Sequence, residues 1–134
     1  MNTKDVGDTS EAVVLAELKR LGYTVLLPFG DNERYDMVYE CDKGFTRVQV
    51  KTGHVRDGDK VVFNTASRGL NQPQEPYTKN EIDIFIVYCS EIDKLYVVDV
   101  EDAPSSEMSL RIKRPQIDHP NINYAEDYTL SNLP

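Results

Sequence analysis

The chain has no apolar run near the ~20 residues that a membrane-spanning helix needs, and Met1-Asn2-Thr3-Lys4-Asp5 lacks the apolar core of a signal peptide. A cytoplasmic protein is the expectation. Cysteine is scarce. Cys41 and Cys89 show no CxxC spacing and no His neighbours at zinc-ligand spacing, so both read as reduced thiols. There is no internal repeat, no phosphate-binding glycine loop and no sign of a second domain, so the 134 residues read as one domain, with roughly 103–134, which holds four prolines, as an irregular C-terminal segment. Positive charge is also short: 15 Lys and Arg against 23 Asp and Glu give a net charge of −8. A polyanion-binding protein usually carries a basic face, and this balance counts against one. Metal ions at an acidic site, or life at high salt, reconcile the two, provided a few local cations make the contact.

What is present is organised around 35–52. Tyr35-Asp36-Met37-Val38-Tyr39-Glu40 and Phe45-Thr46-Arg47-Val48-Gln49-Val50-Lys51-Thr52 alternate with period two about the turn Cys41-Asp42-Lys43-Gly44, which predicts a β-hairpin. Gln49 and Lys51 share one face with Phe45 and Arg47, while Val48 and Val50 take the other. A solvent-facing polar edge explains that pattern as well. Asp36, in the opposite arm, is the difference, because pairing can bring it beside Gln49 and Lys51. An acid, an amide oxygen and an ammonium make a poor core but a reasonable site for a divalent metal and an anion.

Upstream, 5–21 reads as a helix: Val14, Leu18 and Leu21 recur at helical spacing, Lys19 and Arg20 occupy the last turn, and Gly22 follows. Glu11 shares the packing face. It either serves a site there or merely complements the helix dipole behind a Thr9 or Asp8 cap. Residues 23–27 form a short strand ended by Pro28, and 60–65 a second one. His54 is a proton carrier or a solvated loop side chain. The span 66–76 reads as loop, or loop with a short helix. The nearly continuous apolar run 81–89 predicts a central strand, with 95–100 as its hairpin partner. Asp83 and Asp99 interrupt these strands, and nothing in the sequence pairs them. Arg111-Ile112-Lys113-Arg114 is the densest positive charge, either phosphate-contacting or a solvated tail.

A helix with Glu11, a strand, a strand with Asp36 and a strand with Gln49-Val50-Lys51 together resemble the PD-(D/E)XK nuclease superfamily. Gly7 followed by Glu11 is similar to the first helix of archaeal Holliday junction resolvases. Val48-Gln49-Val50-Lys51-Thr52 is similar to the Gln-x-Lys homing endonucleases associated with group I introns. Two positions depart from the pattern: Tyr35 stands where a Pro is usual, and Gln49 where an acid is usual.

The resemblance implies an α/β, restriction-endonuclease-like fold with a central mixed β-sheet flanked by helices, and a homodimer or higher homo-oligomer acting on DNA. It implies catalytic roles for Glu11, Asp36, Gln49 and Lys51. Mg²⁺, or Mn²⁺, would be held by Asp36, the Gln49 side-chain oxygen, the Val50 carbonyl and Glu11, while Lys51 handles the attacking water. The expected activity is hydrolysis of DNA phosphodiesters, first as a junction resolvase and alternatively as a site-specific duplex endonuclease. With Gln49 removing one charge, a catalytically silent DNA-binding module on the same fold is the third reading. Arg56, Lys60, Arg68 and Lys79 are the expected DNA contacts.

Overall fold

Helix α1 (Thr3–Arg20) begins two residues earlier than its periodicity suggests, because Asn2 is the cap: its side chain accepts from the Asp5 N–H at 2.9 Å. Asp8 and Thr9 therefore lie inside the helix, where Asp8 pairs with Lys4 and the Thr9 hydroxyl donates to the Asp5 carbonyl. Val14 and Leu18 are its buried anchors, and Glu11 sits half-buried one turn before them.

The computed structural model describes residues 1–67, 75–117 and 119–134. Its main sheet holds β1 (Thr24–Leu26), β2 (Met37–Cys41), β3 (Gly44–Thr52), β8 (Ile84–Cys89) and β9 (Lys94–Asp99), in the order β1-β2-β3-β8-β9. All neighbours are antiparallel except β3 and β8, which run parallel, so the sheet is mixed. β8 is central and apolar on both sides, as its unbroken run requires: Ile84 and Ile86 face α1, while Phe85 and Val87 face away.

The helix packs Val14 and Leu18 against Met37, Tyr39, Val48, Val50, Ile86 and Val97. The opposite face is covered by a second sheet rather than by further helices. β4 (His54–Arg56), β5 (Lys60–Asn64) and β10 (Glu107–Arg111) pair in the order β10-β5-β4 and lay Val61, Phe63, Met108 and Leu110 on Phe85, Val87 and Val98. Each large apolar side chain removed from water this way contributes about 1.5–3 kcal/mol. β10 thus places a strand inside the segment expected to be irregular. Its Met108-Ser109-Leu110 alternation is too short to signal a strand until β5 supplies a partner. The 66–76 span carries the short pair β6 (Ala66–Ser67) and β7 (Glu75–Pro76); Arg68 lies outside the described residues.

The chain passes from one sheet to the other at Gly53. A Cβ there would lie 2.6 Å from Val61 Cγ1 and 3.0 Å from Val87 Cγ1, so only glycine lets the small sheet close directly after Lys51 and Thr52. Cys41 and Cys89 are free thiols.

Candidate active site

β2 begins only at Met37, opposite Val48, while β3 runs on to Thr52 and still needs a partner on that side, and this unfinished ladder builds the site. Asp36 donates its N–H to the Val48 carbonyl at 2.8 Å, as a strand residue would. Its side chain then does what the missing strand cannot: Oδ2 accepts the Val50 N–H at 2.8 Å. Because a strand residue sends its N–H and C=O to the same side, the Val50 carbonyl faces this gap too.

Glu11 reaches the gap from α1. The Ser10 and Thr52 hydroxyls, 2.7 Å apart, tie the helix to the end of β3 and fix the register of Glu11 against Asp36. The two carboxyls lie within hydrogen-bond reach of each other. Burial raises the Glu11 carboxyl to about 7, helped by the charge and hydrogen bond of Asp36 and by the charge of Asp8. Burial also raises Asp36, against the opposing pull of the Val50 N–H, the Glu11 hydrogen bond and the Lys51 charge. Both carboxyls therefore keep their protons to higher pH than exposed carboxyls do.

Lys51 is half-buried on the other face of β3. Its Nζ lies 3.4 Å from the Tyr77 hydroxyl and 4.8 Å from the ring centroid. Arg34 stacks on the same ring at 3.9 Å and is itself fixed by Glu81, the Ser67 hydroxyl and the Glu75 carbonyl. Tyr77 and Arg34 carry no signal in the sequence, since an aromatic and a cation at those positions read as ordinary loop residues. Gln49 shares the Lys51 face by alternation and is half-buried, with no hydrogen bond to its side chain among the described residues.

The structure brings Glu11, Asp36, Val50 and Lys51 together. Of the expected DNA contacts, the three among the described residues each lie beside an acid. Arg56 pairs with Glu107 at 3.1 Å, Lys60 with Asp57 and Asp59, and Lys79 lies 4.0 Å from Glu101. Asp83, which the sequence leaves unpaired, receives the Arg47 N–H at 2.7 Å and its guanidinium at 3.1 Å. Burial pushes Asp83 up, but the hydrogen bonds and charge of Arg47 outweigh it and hold the carboxyl below its usual range. In the basic run near the C-terminus, Arg111 pairs with Asp59, and Arg114 pairs with Glu126 while lying over the Tyr124 ring.

No group of three His, Cys, Asp or Glu side chains converges on one point among the described residues. The donors here are two carboxylates and a backbone carbonyl, all hard oxygens and all on one gap. That set fits Mg²⁺ or Mn²⁺, which bind through one or two carboxylates and keep several of their own waters, and it does not fit zinc.

A mixed sheet with a helix on one face, an acid at the end of the second strand and Gln-x-Lys on the third define a restriction-endonuclease-like fold. The chain belongs to the PD-(D/E)XK endonuclease family, whose sequence model matches residues 1–131. Among solved structures, the bacterial homing endonuclease I-Ssp6803I shares the fold with a TM-score of 0.79 at 24% identity, over 96% of this chain and 88% of that one. Family membership makes the reaction class phosphodiester hydrolysis and the partner DNA, with divalent metals as the family's general cofactor.

Proposed function

We propose that the chain is a divalent-metal-dependent endonuclease of duplex DNA, with Glu11, Asp36, Gln49 and Lys51 as its catalytic set. The observation that carries this reading is the Asp36 carboxylate seated on the Val50 N–H at 2.8 Å with Glu11 beside it, a half-buried pair of acids with no cation paired to either in an ion pair among the described residues. Asp36, Glu11, the Val50 carbonyl and the Gln49 amide oxygen would hold Mg²⁺, with Mn²⁺ able to substitute, and the ion would supply positive charge to the scissile phosphate and acidity to the attacking water. Glu11 supplies the negative charge that Gln49 lacks. Lys51, braced on Tyr77, orients the water and offsets charge developing on the phosphate. The products are a 5′-phosphate and a 3′-hydroxyl. Cutting both strands calls for two such sites, hence a homodimer.

The likeness to a homing endonuclease over nearly the whole chain favours duplex DNA. A four-way junction is the second reading. It is supported by the pairing of Arg34, Arg47, Arg56, Lys60, Arg111 and Arg114 with acids, which lowers the charge that one protomer offers to a long duplex footprint. No helix among the described residues is long and apolar enough to cross a membrane.

Labelled duplexes carrying varied sequence and a four-way junction, incubated with Mg²⁺, Mn²⁺ or EDTA, test the reading. Metal-dependent cleavage of duplex that Asp36→Ala and Lys51→Ala abolish is the expected result. Paired nicks confined to the junction would make the protein a resolvase. Binding of either DNA without cleavage in any metal would make it a silent DNA-binding module.

A further inference from the structure

One cleft is lined by the carboxylate pair and a second opens at the neighbouring Val50 and Lys51, and the two differ in sign. One, of about 380 Å³, is lined by Glu11 and Asp36 together with Asp31 and Glu33, and no Lys or Arg contributes to it. The other, of about 560 Å³, opens beside Lys51, between the first turns of α1 and the small sheet. Lys51 and Thr52 line its β3 side, and His54, Arg56, Asn64 and Glu107 come from β4, β5 and β10. Strand alternation explains that wall: Val55 packs into the core while His54 and Arg56, its neighbours on β4, are exposed. On the helix side the cleft is open at Gly7, where a Cβ would meet no atom within 4 Å.

Phosphates on either side of a scissile bond lie within about one Debye length of the site, so the charge lining each cleft still acts on them. The acidic cleft repels a DNA strand, and the cleft beside Lys51 draws it in. Arg56 is not free in that cleft. Both arms of its guanidinium lie on Glu107, with Nη1 to Oε1 at 3.1 Å and Nη2 to Oε2 at 3.4 Å. The two side chains are half-exposed, 53% and 44%, so the pair is solvated and open to exchange. The fork that grips a carboxylate grips two phosphate oxygens equally well.

We propose that the cleft between α1 and the β4-β5-β10 sheet holds the phosphate backbone of the strand presented to Glu11 and Asp36, and that Glu107 occupies Arg56 until a phosphate displaces it. The assignment rests on the endonuclease reading above and fixes the side from which the substrate lies across the site. It also gives Glu107 a role of unusual sign: a residue whose neutralisation improves binding.

The test is binding of a labelled mixed-sequence duplex of about 30 bp to the full chain in EDTA, followed by anisotropy between about 50 and 200 mM salt. Arg56→Gln is expected to weaken binding about 3–10-fold and lower the salt slope by about 1, the signature of one lost phosphate contact. Glu107→Gln is expected to tighten binding about 3–10-fold. The double variant is expected to bind like Arg56→Gln alone, because Glu107 acts only through Arg56. Loss of the pair as a structural brace would lower the melting temperature of both single variants alike and could not move DNA binding in opposite directions. Asp31→Asn, on the acidic side, is expected to tighten binding by less than Glu107→Gln.

Unchanged or weaker binding by Glu107→Gln, or tightening that persists in the double variant, overturns the proposal. So does a larger gain from Asp31→Asn. Metal-dependent nicking of the same duplex by the wild type separates the two levels. If the wild type nicks and binds while the Arg56 and Glu107 variants match it, the cleft assignment alone fails. If the wild type neither nicks nor binds, the endonuclease reading fails and takes the cleft with it.

Discussion

Replacing Glu11 by Gln should make the metal-free protein more stable at alkaline pH and at the same time inactive. Glu11 titrates near 7 instead of its ordinary 4.5 because it is buried against Asp36. A group whose folded-state pKa is raised contributes stability that is complete below 4.5 and is lost as pH climbs through 7. At 1.36 kcal/mol for each tenfold change, that span amounts to about 3 kcal/mol, and the partial exposure of the carboxyl reduces it by screening to about 1–2 kcal/mol. Gln mimics the protonated acid, so the variant escapes the loss. Thermal unfolding in EDTA should find the two proteins within about 0.5 kcal/mol at pH 5 and the variant higher by about 3–8 °C at pH 8. Added Mg²⁺ should raise the wild-type melting point more steeply at pH 8 than at pH 6, because the ion displaces the Glu11 proton, and should raise the variant much less. A variant less stable than wild type at pH 8, or an equal difference at both pH values, would refute the carboxyl-pair argument.

Tyr77→Phe removes the hydroxyl beside Lys51 but keeps the ring, and should lower the single-turnover cleavage rate about 3–10-fold with DNA affinity unchanged; Tyr77→Leu, which also removes the cation–ring contact, should lower it further. Wild-type rates for both would show that Lys51 does not depend on the brace. Gly53→Ala forces a Cβ to 2.6 Å from Val61 and should cost about 1–3 kcal/mol in chemical denaturation, with no loss expected only if the sheets can separate there freely. Asp83→Asn should cost about 1 kcal/mol at neutral pH after allowance for exposure. Because the Asp83 carboxyl is held below 3.8, its contribution is present above that pH and lost as pH falls further, so the wild type and the variant should converge in acid unfolding measurements.

The parts of this molecule that rest on short-range periodicity were legible in its amino-acid order. The 35–52 hairpin obeys a period of two, the α1 stripe of Val14 and Leu18 one of 3.6, and the β8-β9 hairpin shows as two apolar runs about a polar turn, and such signals act over a single element. The spacing of Glu11, Asp36 and Gln49-Val50-Lys51 was enough to point to the nuclease family, since order along the chain is what a family pattern records. The N-cap escaped because Asn2 lies outside the apolar repeat. β10 escaped because a strand of five residues has no meaning until β5 pairs with it.

The contacts that make the site depend on residues brought together across the fold. The Ser10–Thr52 bond spans 42 residues of chain, the Lys51–Tyr77 contact 26, and the Arg47–Asp83 clamp 36. No local pattern encodes any of them, because their energy appears only after α1, the parallel β3-β8 pair and the small sheet have closed around one another. Residue order alone sets which chemical groups the protein owns and most of the elements that carry them. Folding in three dimensions decides that β2 begins late enough for Asp36 to take the Val50 N–H, that Glu11 lies beside it with its carboxyl pushed up by burial, and that the cleft holding the pair is acidic while the one at Lys51 also carries Arg56, since burial and neighbouring charge arise only there.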